Sequence, residues 1–168
     1  MLVSEPWPVS PRSADWDFET PHVLGLQVQA GDIDAYGHVN NSIYLAWFDR
    51  VAWSHSAALG ISLDDCVRQR RGMAAHRTEV DYLRAAVLGE RVLIGTWIVA
   101  SDGRLRVERR FQVRRAEQVH AHITKVGETM ARARTEYVCI NLDSGRAVRM
   151  PESFSRAYRL TVAPAEKQ

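Results

Sequence analysis

The 168-residue sequence predicts an α+β domain in which one long helix packs on an antiparallel sheet of about five strands. Three observations carry that prediction. Residues 42–59 are the only long stretch with apolar positions at the helical period. Nearly everything after Gly72 reads as strand, with clean alternation over 105–113, where Leu105, Val107, Arg109, Phe111 and Val113 interleave with polar residues. Those strands follow one another directly, so neighbours are expected to pair antiparallel, and the helix must bury its apolar stripe against them.

Residues 1–21 hold four of the six prolines and read as an extended arm, lying on the surface or on a partner subunit. HVLGLQVQ at 22–29 is the first strand. Gly31 breaks it and opens a polar, turn-rich loop, GDIDAYGHVNN. In the helix that follows, Ile43, Trp47, Val51, His55 and Ala58 share one face, flanked by Ala46 and Leu59, and Gly60 is placed to end it. Further strands are expected at 73–83, 91–99, 105–113 and 131–140, with 117–127 as a possible hairpin extension. A turn falls at Asp143-Ser144-Gly145, and Pro151 opens a short helix that ends near Tyr158. The expected domain is 22–160, with 161–168 as a tail.

Hydrophobic residues make up 46% of the chain, enough for one core, yet no apolar run is long enough to span a bilayer. The start has no basic segment followed by an apolar run, so a cytoplasmic location is expected. Cys66 and Cys139 lack metal-site or disulfide-framework spacing and read as two buried thiols. His120 and His122 have no third ligand nearby, so no metal is expected. The net charge of +2, with no recognised binding motif, argues against nucleic acid. Basic residues are nonetheless lopsided, with Lys125 and Lys167 as the only lysines, and arginine's fork suits phosphate and carboxylate.

The loop at 31–41 carries the chemistry. It packs two carboxylates, two glycines, a histidine and two asparagines immediately before a helix. A helix N-terminus presents unpaired backbone N–H groups and the positive end of the helix dipole, which favour a developing oxyanion. A carboxylate opposite those donors can attack a carbonyl or activate water to do so. Plainer roles exist for each member: Asp32 and Asp34 as turn formers, Asn40 or Asn41 as a helix cap, and Gly37 as a positive-φ residue.

The order Asp32-Ile33-Asp34-Ala35-Tyr36-Gly37-His38-Val39-Asn40-Asn41, with Tyr44 and Phe48 behind it, resembles the hotdog-fold acyl-CoA thioesterases related to 4-hydroxybenzoyl-CoA thioesterase. The resemblance runs through TEVDYLRAAVLGERV at 78–92 to INLDSGRAVRMPE, covering about 22–158. It implies a hotdog fold, a long central helix wrapped by a curved antiparallel sheet. It implies acyl-CoA hydrolysis with Asp34 as the catalytic carboxylate, nucleophile or general base, and the N–H at or near Asn41 as oxyanion donor. Gly37, His38, Val39, Asn40, Asn41 and Tyr44 become expected substrate-binding residues. Arg84, at its strand end, is the first candidate for a CoA phosphate contact, ahead of Arg106 and Arg110. No cofactor is implied, and the active sites lie between subunits of a homodimer or homotetramer.

Other readings keep the fold. Acyl carrier protein can replace CoA as carrier. A dehydratase would cast His38 and Asp49 as the working pair but leave Asp34 idle, and a non-catalytic acyl-CoA binding protein would not need Asp34. Asp49, two turns into the helix, is a secondary catalytic candidate that reads more simply as a structural or interface residue beside Arg50.

Overall fold

The computed structural model describes residues 15–120 and 123–162. In chain order, strand β1 (His22–Gln27) leads through a single 3-10 turn (Ala30–Asp32) into helix α1 (Asn41–Ala58). A short helix α2 (Leu63–Gln69) precedes strands β2 (Arg71–Tyr82), β3 (Arg91–Ser101), β4 (Arg106–His120) and β5 (Ile123–Asn141), and helix α3 (Glu152–Ala157) follows. The strands form one antiparallel sheet in the order β1-β3-β4-β5-β2, which leaves β1 and β2 at the edges.

Helix α1 starts where Asn40 caps it, its side-chain oxygen accepting from the Ser42 N–H at 2.9 Å. It ends at Gly60, whose φ of +88° is reached at no steric cost by glycine. The buried stripe is Tyr44, Trp47, Phe48, Val51, Ala52, His55 and Ser56. This corrects the expected face: Ala46 and Ala58 are exposed and Ile43 only half-buried. The sheet selects the side with the larger rings, Phe48 meeting Phe111 at 5.0 Å between ring centres, while alanine has little area to bury. The opposite side of α1, including Leu45, Asp49 and Trp53, is exposed, so the sheet covers this helix on one side.

Two clusters fill the inner face. The larger joins α1 to Val92 and Ile94 of β3, Phe111 and Val113 of β4, and Ala131 and Ala133 of β5. The second, beyond the end of α1, gathers Ile61, Cys66, Ile98, Val107, Cys139, Phe154 and Tyr158. Both cysteines are free and buried there, and burial pushes their thiols up, away from the reactive thiolate.

A third cluster lies on the outer face, where Trp16 packs with Leu93 and Trp97. Gly95 permits this, since a Cβ there would stand 2.7 Å from the Trp16 ring. The Trp97 indole N–H donates to the Glu19 carbonyl at 2.9 Å, and the Asp17 N–H donates to the buried Gln112 side chain at 2.9 Å. Asp17 also pairs with Arg132. Residues 15–19, part of the expected arm, thus lie across the outer sheet of their own chain.

Strands β4 and β5 run longer than expected and absorb the described part of 117–127 into their hairpin. Register shifts near Arg114 and Ala116 break the alternation by which that part would have been read. Helix α2 was not anticipated, although its capping box, Ser62 with Asp65 three residues on, is visible in the sequence.

Candidate active site

The loop between β1 and α1 is a stack of local hydrogen bonds. Asp32 accepts from the Gln29 N–H at 2.8 Å and its carbonyl accepts from the Asn40 N–H at 2.9 Å. Ile33 and Val39 form an isolated antiparallel bridge that closes a tight turn over 34–37. In it the Asp34 N–H donates to the His38 carbonyl (2.8 Å), the Gly37 N–H donates to the Asp34 carbonyl (3.0 Å), and Gly37 takes φ +78°. The Asp34 carboxylate accepts the Tyr36 N–H through Oδ1 at 2.8 Å, which orients the group, and Oδ2 accepts from no described residue. Asp32 is therefore a structural carboxylate, and Asp34 is half-buried with one oxygen free.

A cavity of about 360 Å³ opens beside this turn. It brings together Asp34, His38, Val39, Asn40, Asn41, Tyr44 and Arg84 from the expected set; Gly37 shapes the turn without lining the cavity. Val39 is buried and its N–H is spent on the Ala86 carbonyl at 2.9 Å. Asn40 is spent as the cap, accepting from both the Ser42 N–H and hydroxyl. The Asn41 N–H, at the first helical position, has no intrahelical acceptor and donates to none of the loop groups, so it remains available. His38 is exposed, and its ring bonds to no described residue. Arg84 is exposed; its Nη1 donates to the Leu83 carbonyl at 2.8 Å and its Nε lies 3.5 Å from Glu128, a weak surface pair, which leaves Nη2 for an anion.

Arg106 and Arg110 do not reach this cavity. Both belong to the polar register of β4, and Arg110 pairs with Glu108 at 3.0 Å on the outer face. Asp49 lies further along α1, also outside it. The side chains of His120 and His122 lie outside the described residues.

Two side chains went unmarked in the sequence. Tyr82 lines the cavity, donates its hydroxyl to the Asn41 carbonyl at 3.0 Å, and stands edge-on to Tyr44 at 5.3 Å. It ties the end of β2 to the first turn of α1. Arg109, on the apolar register of β4, is only 4% exposed. Its guanidinium donates to His55 Nδ1 at 2.8 Å and to Ser56 Oγ at 3.0 Å, and sits 5.7 Å over the Tyr158 ring. No described carboxylate pairs with it. Guanidinium only donates, so His55 accepts at Nδ1 and is neutral; burial and the Arg109 charge hold its pKa down to about 3. His22, stacked on His55 at 4.9 Å, is lowered for the same two reasons. An arginine in an otherwise apolar strand register was the available signal.

An antiparallel sheet carrying one long helix is a fold that solved structures share with this chain. Residues 28–158 match the family model of the thioesterase-like superfamily, and the chain belongs to that superfamily. A 1,4-dihydroxy-2-naphthoyl-CoA thioesterase from Synechocystis is 20% identical, with 83% of this chain and 96% of that one aligned at a TM-score of 0.67. A DHNA-CoA thioesterase from Staphylococcus aureus is 22% identical over 77% of this chain and 80% of its own, at 0.68. A second S. aureus protein, solved in complex with CoA, is 18% identical over 90% and 93%, at 0.72. These likenesses establish the shared fold. No curated protein matches the chain. Among the described residues, no helix is long and apolar enough to cross a membrane.

Proposed function

We propose that this chain hydrolyses acyl-CoA thioesters, water and acyl-CoA giving a carboxylic acid and free CoA. The observation that carries the reading is the shared cavity, which Asp34, Asn41 and Arg84 all line. Asp34 acts as nucleophile or as general base toward the thioester carbonyl. The Asn41 N–H, at the positive end of α1, holds the oxygen as it becomes negative. A thiol of pKa about 8.5 departs as thiolate without a strong acid to protonate it, so a carboxylate, an oxyanion donor and water suffice. Arg84 binds a CoA phosphate at the cavity rim, and Tyr82 keeps the first turn of α1 in place.

Membership of the thioesterase-like superfamily and the CoA complex of a structural neighbour support CoA as the carrier. We further propose a homo-oligomer with active sites completed between subunits. Leu45 and Trp53 are 46% and 39% exposed on the uncovered side of α1, and β2 offers its outer edge along twelve residues.

The test is release of CoA thiol from short, medium, long and aromatic acyl-CoAs by wild type and Asp34→Asn. Wild type turns over at least one of them, and the variant loses two or more orders of magnitude, the usual worth of a positioned acid–base group. Full activity in Asp34→Asn would remove Asp34 from the mechanism.

A further inference from the structure

Arg109 faces a second, smaller cavity of about 40 Å³, lined by Asp49, Ala52, Ser56, Met73, Val107 and Tyr137 among others. Fifteen residues of α1 separate Asn41, in the first cavity, from Ser56, in this one, about 22 Å at 1.5 Å per residue. A guanidinium taken out of water is costly to hold unless an anion compensates it. Arg109 has only neutral partners, His55 and Ser56. Burial pulls its pKa down, yet the group stays protonated, and no carboxylate among the described residues forms an ion pair with it, Asp49 lining the same cavity without reaching it. Ser56 Oγ accepts from Arg109 and from the Tyr158 hydroxyl at 3.2 Å, and its own proton goes to no described side chain.

We infer that the cavity beside Arg109 is a carboxylate-binding site, the guanidinium fork and the Ser56 hydroxyl gripping the two oxygens. The planar fork matches a carboxylate in two parallel bonds. The space holds a headgroup with a short stem, and Ala52, Met73 and Val107 give that stem apolar walls. Asp49 at the rim opposes an incoming anion, although burial raises the pKa of its carboxyl. The ligand is either a free short-chain acid or the far carboxylate of a larger molecule that enters past Asp49. Carboxylate binding here stands whether or not Asp34 hydrolyses thioesters.

The experiment titrates propionate and propionamide, at constant ionic strength, into wild type, Arg109→Gln and Asp49→Asn. Melting temperature and the ring-nitrogen NMR signals of His55 are followed, the latter because His55 touches the guanidinium. Propionate raises the melting temperature and moves the His55 signals, and propionamide does neither. Arg109→Gln weakens propionate at least tenfold, and Asp49→Asn tightens it at least twofold by removing a like charge. Equal responses to acid and amide, an unmoved His55, or undiminished binding in Arg109→Gln overturn the site. Should Arg109→Gln fail to fold, wild type and Asp49→Asn still decide, since a site without an anion gives no acid–amide difference and no gain in Asp49→Asn. The two sources are separated by the length of the acid: a free short-chain acid binds most tightly as acetate or propionate, whereas the far carboxylate of a larger molecule binds more tightly as the chain is extended to hexanoate and octanoate.

Discussion

Gly37 isolates backbone conformation from contact. Its φ is +78°, and a Cβ built there meets nothing within 4 Å. Gly37→Ala therefore tests the left-handed conformation alone, with an expected loss of about 1–2 kcal/mol in urea unfolding. Because the same turn aims Asp34, activity falls further than stability does; a variant of native stability and activity would show that the turn tolerates a side chain. His55 makes the pH-dependent case. Its folded pKa of about 3 lies below the unfolded 6.5, so the unfolded chain takes the proton first. The stability due to neutral His55 is complete above pH 6.5 and is lost as pH falls toward 3, by up to about 1.4 kcal/mol per pH unit for one proton. Urea melts from pH 4.5 to 7.5 should show that slope, and His55→Gln should flatten it, leaving the smaller part due to His22. At this scale the sequence disclosed what is local. The Asp34 turn was legible because its hydrogen bonds join residues within a few positions of each other. Arg109 was passed over because its meaning depends on His55 and Ser56, more than fifty residues away.

Among the elements, α1 was placed to within a residue from its period and Gly60, with the cap left between Asn40 and Asn41, while the side it buries was misjudged in part. Periodicity marks which residues lie together on a helix, but the sheet decides which side is covered, and alanines weigh little in that choice. Strand β3 is apolar on both faces, and the structure supplies the cause: Trp16 covers the outer one. Gly95 is the condition for that cover. Gly95→Val places side-chain atoms where the Trp16 ring lies, so 15–19 must lift from the sheet while the inner core is untouched. The expected result is a red shift of tryptophan emission and new protease cleavage before β1, with thermal stability lowered but folding retained. Emission and cleavage unchanged from wild type would mean that Trp16 is not seated on Gly95 in solution.

At the scale of the whole molecule, the described chain leaves two features unpartnered, one apolar and one polar. Leu45 and Trp53 stand on the outer side of α1 at positions eight apart, hence along one stripe with Asp49 between them. The outer edge of β2 carries unpaired backbone groups across 71–82, and such an edge pairs with another strand unless something blocks it. A second copy across β2 would extend the sheet and bring a neighbouring surface toward the α1 stripe, and a two-fold axis makes the contact self-complementary. The expected outcome is a dimer or larger multiple of the 19.0 kDa chain by light scattering. If sites are completed between subunits, activity per chain falls on dilution over the same concentration range in which the mass falls. Trp53→Arg, which sets a charge on the stripe away from the Asp34 cavity, shifts both transitions together to higher concentration. A monomer of constant specific activity across the dilution would place the whole catalytic apparatus within one chain.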